Sequence, residues 1–160
     1  MALTAIGTIH LVSAILALGF GFAVLSLKKG TRFHRAFGYG WVYAMILTNA
    51  TALSLYRLTG HFETFHALAL VSLASVLTGL AAALIRWRNW LEFHYRFMAF
   101  SYIGLLAAAA AEGLTRLPLF RFTAAWQIIA VGVGVGIVFT IIGMIVVPRL
   151  RKTALAIKAH

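Results

Sequence analysis

The chain has 160 residues, of which 62% are hydrophobic and 11% charged, and its mean hydropathy is +0.95. A charged fraction so far below the soluble average of about 25% excludes an ordinary water-soluble domain. The chain contains no cysteine, which excludes disulfides, thiolate metal sites and iron–sulfur clusters.

Five long apolar segments follow one another along the chain: residues 3–27, 36–56, 64–85, 94–114 and 123–147. A helix of about 20 residues crosses the hydrocarbon core, and backbone in lipid must satisfy its own hydrogen bonds. No linker or low-complexity stretch separates the segments. The sequence therefore predicts an all-α integral membrane bundle of five transmembrane helices that forms one domain, residues 1–160.

The basic residues are distributed very unevenly between the connecting segments. Eleven of the 14 lie on one side of the predicted membrane: Lys28, Lys29, Arg32, Arg35, Arg86, Arg88, Arg96, Arg149, Arg151, Lys152 and Lys158. By the positive-inside rule that side is cytoplasmic, so we expect the N-terminus outside and the C-terminus inside the cytoplasmic (inner) membrane. The net charge of +11 thus reflects topology, and we expect no nucleic-acid partner.

Four histidines fall into two pairs at matched depths. His10 in span 1 and His66 in span 3 belong to the outer leaflet, whereas His34 and His94 stand at the cytoplasmic entrances of spans 2 and 4. Two imidazoles from different helices at one depth are the axial ligands that a helical bundle offers to b-type haem. The pattern predicts one or two haems, with His34 and His94 as the principal pair.

The surroundings of these histidines extend the hypothesis. Arg35 and Arg96, beside the inner pair, are expected to hold the haem propionates by charge-assisted hydrogen bonds. The predicted function is electron transfer within or across the bilayer, with a quinol or a small cytoplasmic reductant as donor. In span 5, Gly132 and Gly136 form a small-xxx-small face that predicts a packing contact, within the protomer or in a homodimer.

Two other functions compete with this one. Glu112, near the outer end of span 4, with His10, His66 and Asn49 would make an outer zinc or non-haem iron site and a metal-dependent membrane hydrolase. A salt bridge to Arg116 at i+4 is the simpler role for Glu112. The second alternative is a non-catalytic subunit or small transporter whose histidines are interfacial.

A family resemblance rests on His10 and on the segments around His34 and His94, which read FHRAFGYGWVY and EFHYRFMAFSY. With these motifs the chain resembles domain-of-unknown-function family 2306, small bacterial predicted membrane proteins, over roughly spans 1 to 4. The resemblance implies a membrane protein and no particular activity. In that family a further arginine is expected at the position of Glu112. The resemblance therefore implies no role for Glu112.

The placement of histidines on alternate helices is also similar to the architecture of cytochrome b561-type membrane proteins, in which such helices ligate two haems. The resemblance is one of architecture and carries no sequence motif.

Overall fold

The computed structural model describes residues 4–54 and 64–116, and single helical positions at 130, 134, 135, 137, 138 and 141. Its first two stretches form four α-helices: α1 (Ala5–Ser26), α2 (Arg32–Ser54), α3 (Thr64–Ile85) and α4 (Trp90–Arg116). The all-α class and the helical nature of spans 1 to 4 are confirmed. Most of span 5, with Gly132 and Gly136, lies outside the described residues, as do His61 and His160.

Three of the four helices are long and apolar enough to cross a membrane: Ala5–Ser26, His66–Ile85 and Trp90–Leu114. Helix α2 does not meet that criterion, although it covers the second predicted span as far as Ser54. Polar residues lower its hydropathy, and three of them, Thr48, Asn49 and Thr51, are buried. Helix α2 packs against both α1 and α3, so this polar face is turned toward protein.

Side chains at the helix ends explain where α1 and α2 begin and end. The Thr4 hydroxyl accepts a hydrogen bond from the Gly7 N–H at 3.1 Å and caps the start of α1. At the other end, Lys29 Nζ donates to three carbonyls, those of Val24, Leu25 and Leu27. Thr31 then accepts from the His34 N–H at 3.2 Å. This cap starts α2 four residues before the predicted span and puts His34 in its first turn.

The turn between α3 and α4 is short because two residues adopt the left-handed region. Arg86 has φ 56° and Asn89 has φ 63°. Asn89 is a residue type that tolerates this conformation, and its carbonyl accepts from the Glu92 N–H at 3.0 Å. Helix α4 therefore begins at Trp90, also four residues before its predicted span.

Small residues allow α1 to approach α2 closely. Ser13, Ala17 and Gly21 recur at four-residue spacing along α1 and are its buried residues. The Phe20 ring lies against Gly40 of α2, where a Cβ would meet ring carbons at 3.3 Å. Close backbone approach through small residues is the usual way in which membrane helices associate.

The chain divides into two compact units, Met1–His94 and Tyr95–His160. The first contains α1, α2, α3 and the first residues of α4, and its buried side chains include Ala17, Met45 and Val76. Many of its large apolar side chains face outward, for example Phe22, Tyr43 and Ile85, which are 68%, 71% and 70% exposed. Such an apolar exterior is expected where the solvent is lipid.

The close contact between α1 and α2 can be tested by overpacking. Ala17 is fully buried, so Ala17→Leu should lower the free energy of unfolding by about 1–3 kcal/mol. Ala50 is exposed on α2, and Ala50→Leu, the same substitution, should change it little. Thermal unfolding in mild detergent measures both. Equal stability of the two variants would contradict the packing described here.

Candidate functional site

The inner histidine site lies at the end of the first unit where α1 ends and α2 and α4 begin. His34 is in the first turn of α2, and His94 is the fifth residue of α4. The two rings are close enough for the charge of His94 to lower the pKa of His34. The two histidines of the predicted inner pair thus lie within electrostatic range of each other, and their role as a ligand pair stays a prediction.

His94 is held in one tautomer by a backbone carbonyl. Its Nδ1 lies 2.9 Å from the Gly79 carbonyl oxygen of α3. A carbonyl only accepts hydrogen bonds, so Nδ1 carries the proton and Nε2 carries the lone pair. Histidines that ligate metals commonly donate their other N–H in this way, which fixes the ring and makes the free nitrogen more basic.

One nitrogen of His34 is buried and makes no hydrogen bond in the described part of the chain. Its Nδ1 is buried and has no hydrogen-bond partner. His34 lies before the predicted span. Burial lowers the pKa of its imidazole, and the charges of Lys29 and His94 lower it further, whereas a hydrogen bond with the Val24 backbone raises it. Burial lowers the pKa of Lys29 as well. A lowered pKa keeps the His34 imidazole neutral near pH 7, and a neutral ring is what a metal or a hydrogen-bond donor requires.

The outer site is built around His10 of α1. Its Nδ1 lies 3.1 Å from the Thr48 carbonyl oxygen and 3.0 Å from Thr51 Oγ1, both on α2. The carbonyl again requires the proton on Nδ1, so the Nε2 of His10 carries the lone pair. The sequence pattern indicates a role for His10 but none for Thr51, whose position one turn beyond Thr48 is the signal that could have suggested one.

A chain of polar side chains continues from His10 across the first unit. Thr48 Oγ1 donates to Ser13 Oγ on α1 at 2.9 Å, and Asn49 Nδ2 donates to Ser72 Oγ on α3 at 3.3 Å. These bonds run from α2 to both of its neighbours. They show that the residues near His10 belong to the contacts between helices and not to the lipid face.

The other predicted site residues are placed less specifically. His66 is buried on α3, with 5% of its surface exposed, and its role as a ligand stays a prediction. Arg35 is exposed on α2, next to His34 in the chain. Arg96 and Glu112 are exposed on the part of α4 that belongs to the second unit. Among the described residues, no three His, Asp or Glu side chains are grouped to hold a metal ion.

The hydrogen bond between Ser13 and Thr48 can be tested by deletion. Ser13→Ala removes the acceptor on α1 but leaves Thr48 its bond to the Ala44 carbonyl at 2.8 Å. Bonds between membrane helices contribute about 0.6 kcal/mol on average, so the free energy of unfolding should fall by roughly that amount. Ser26→Ala is the matched control, because exposed Ser26 bonds the Phe22 carbonyl of its own helix. A larger loss for Ser26→Ala in detergent unfolding would contradict this assignment.

The comparison with known proteins agrees with the membrane helices and with the family resemblance. No curated protein and no solved structure matches the chain. A family model described as predicted membrane protein (DUF2306) matches residues 7–155, which includes both histidine sites. The chain belongs to this DUF2306 family of predicted membrane proteins.

Proposed function

We propose that this chain is a membrane cytochrome that binds b-type haem between pairs of histidines and transfers electrons within or across the bilayer. In this proposal it crosses the cytoplasmic membrane of a bacterium five times, with its N-terminus outside. His34 and His94 are the principal ligands. His10 and His66 are the second pair, at the opposite end of the helices.

The inner pair is the observation that carries the proposal. His94 offers Nε2 because the Gly79 carbonyl holds its other nitrogen. His34 has a buried Nδ1 without a partner, and the two imidazoles influence each other electrostatically. A metal between two such nitrogens would satisfy the unpaired one. Two imidazoles would complete the coordination of haem iron, because the macrocycle supplies the other four ligands.

The number of protein ligands favours haem over a bare metal ion. Zinc sites use three or four protein ligands, of which the catalytic ones keep three. No such group of three occurs in the described stretches 4–54 and 64–116. The hydrolase alternative requires His10, His66 and Glu112 to converge, and no observation supports that convergence. The bis-histidine hypothesis needs only two side chains at each site.

The haem, when bound, supplies one-electron redox chemistry, and the residues of the chain position it and control its surroundings. The Gly79 carbonyl orients the His94 ring, and the Thr48 carbonyl orients the His10 ring. Arg35 and Arg96 are the proposed partners of the propionates. The electron donor in this proposal is a quinol or a small cytoplasmic reductant, and the Gly132/Gly136 face is the proposed homodimer contact.

Removal of one inner ligand tests the cytochrome. Purified protein should show a Soret band and, after reduction with dithionite, the α and β bands of low-spin haem. His94→Ala should lose at least half of the haem and keep its expression, since the ring makes one hydrogen bond to the described residues, with the Gly79 carbonyl. Added imidazole should restore the spectrum, because it replaces the missing ligand.

Phe33→Ala is the control for this experiment, since Phe33 neighbours His34 but is 54% exposed. It should retain wild-type haem content. A colourless wild-type protein from haem-supplemented cells would reject the cytochrome, and unchanged haem in His94→Ala would reject this ligand.

The absence of cysteine makes the orientation directly testable. Lys28→Cys, in the loop after α1, should react with a membrane-impermeant maleimide only after the cells are opened. Thr4→Cys, at the other end of α1, should react in intact cells. Both positions are exposed, so access depends only on the side of the membrane. The reverse labelling pattern would show that the N-terminus is inside.

A further inference from the structure

Trp41 is the second buried polar group of α2 that lacks a partner. It is 3% exposed, and its indole Nε1 is buried without a hydrogen bond to any described residue. An indole nitrogen is only a donor, so the missing partner must be an acceptor. A buried donor left unpaired costs about 1–3 kcal/mol, so an acceptor for the Trp41 indole N–H would stabilise the protein.

Trp41 lies between the two histidine sites on one face of α2. Positions 34, 41 and 48 are spaced by seven residues, which is two helical turns or about 10 Å along the axis. Trp41 is therefore two turns from His34 and two turns from Thr48, whose carbonyl holds His10. A ligand at this level would lie within reach of both proposed haem sites.

The same face of α2 is open beside Gly38. A Cβ built on Gly38 would have no heavy atom within 4 Å, whereas one on Gly40, two residues away, meets the Phe20 ring at 3.3 Å. Gly38 precedes Trp41 by one helical turn and follows His34 by one turn. Along α2, Gly38 thus lies between the two residues with unpaired buried nitrogens.

The chemistry at Trp41 restricts the class of ligand. Its buried neighbours on α2 are apolar, namely Val42, Ala44 and Met45, so the ligand must be largely apolar too. No Lys or Arg of α2 lies beyond Arg35, so a carboxylate at this depth would lack a counter-charge from the helix. The acceptor is therefore best supplied by a neutral carbonyl on a molecule that dissolves in lipid.

We propose that the Trp41 indole N–H donates a hydrogen bond to a carbonyl oxygen of a lipid-soluble quinone that occupies the space beside Gly38. The choice of a quinone among neutral carbonyl compounds rests on the proposed electron-transfer function, because a quinone is both lipid-soluble and redox-active. Binding of the quinone itself rests on Trp41 and Gly38 and needs no haem.

The indole N–H reports on this bond directly. The chain has four tryptophans, so protein labelled with ¹⁵N-tryptophan gives four indole signals, and Trp41→Phe identifies one of them. Titration of the full-length protein in detergent with decylubiquinone should move the Trp41 proton signal downfield and leave the other three in place. Decylbenzene has the same alkyl chain without carbonyls and should cause no such shift. This comparison also removes any shift caused by haem iron.

Binding affinity gives a second readout. Loss of one buried hydrogen bond should weaken decylubiquinone binding about tenfold in Trp41→Phe. Trp90→Phe, a matched substitution of the tryptophan at the start of α4, should bind as wild type does. Gly38→Leu should abolish binding because its side chain fills the space, while Gly19→Leu, at another glycine with open surroundings, should not.

The outcomes separate this inference from the cytochrome itself. A Trp41 signal that quinone and decylbenzene shift equally, or that neither shifts, would overturn the quinone site even in a protein that contains haem. A Trp41 signal already at a hydrogen-bonded position and unmoved by quinone would identify water as the acceptor and would also overturn it. A quinone-dependent shift supports the site, and the optical spectrum reports haem independently. If Trp41→Phe fails to fold, Trp87→Phe, Trp90→Phe and Trp126→Phe identify the other three signals and leave that of Trp41 by elimination, so the titration remains decisive.

Discussion

The absence of water in the bilayer core is the constraint from which the arrangement of the first unit follows. Polar side chains at that depth must find partners inside the protein. On α2, Thr48 donates to Ser13 of α1, and Asn49 donates to Ser72 of α3. These two bonds, together with the small residues of α1, join three helices at one level. Helix α2 is less apolar than its neighbours because its polar groups face protein on both sides.

The same constraint determines the chemistry of the histidines. His10 and His94 each give their Nδ1 proton to a helix carbonyl on a neighbouring helix, Thr48 for one and Gly79 for the other. A helix carbonyl has a second lone pair free after its backbone bond, so it can accept this additional hydrogen bond. Both rings are left with a basic Nε2. The same hydrogen-bond arrangement therefore occurs at both ends of the first unit. Two ligand sites of one kind would share this arrangement.

The sequence was sufficient for the helices of spans 1 to 4, because apolar length is a strong signal, whereas the pairing of the histidines at two membrane depths stays a prediction. Small residues at helical spacing indicate the buried face of α1 only approximately, because such spacing leaves a choice between adjacent positions, and Ser13 is buried there whereas Ala14 is not. The sequence could not predict Gly79 or Thr48 as acceptors. Every residue has a backbone carbonyl, and which carbonyl accepts depends on how two helices pack. The early starts of α2 and α4 follow from Thr31 and Asn89, polar residues outside any apolar window.

Trp41 differs from every other buried side-chain donor of α2. Thr48, Asn49 and Thr51 each reach a carbonyl one turn earlier in their own helix, so they remain satisfied even if a neighbouring helix moves. An indole is too rigid to make such a bond and depends on a partner outside its helix. A phenylalanine would fill the same volume without an unpaired N–H. The cost of that N–H is offset only if an acceptor arrives from elsewhere, and the carbonyl of the proposed quinone is such an acceptor.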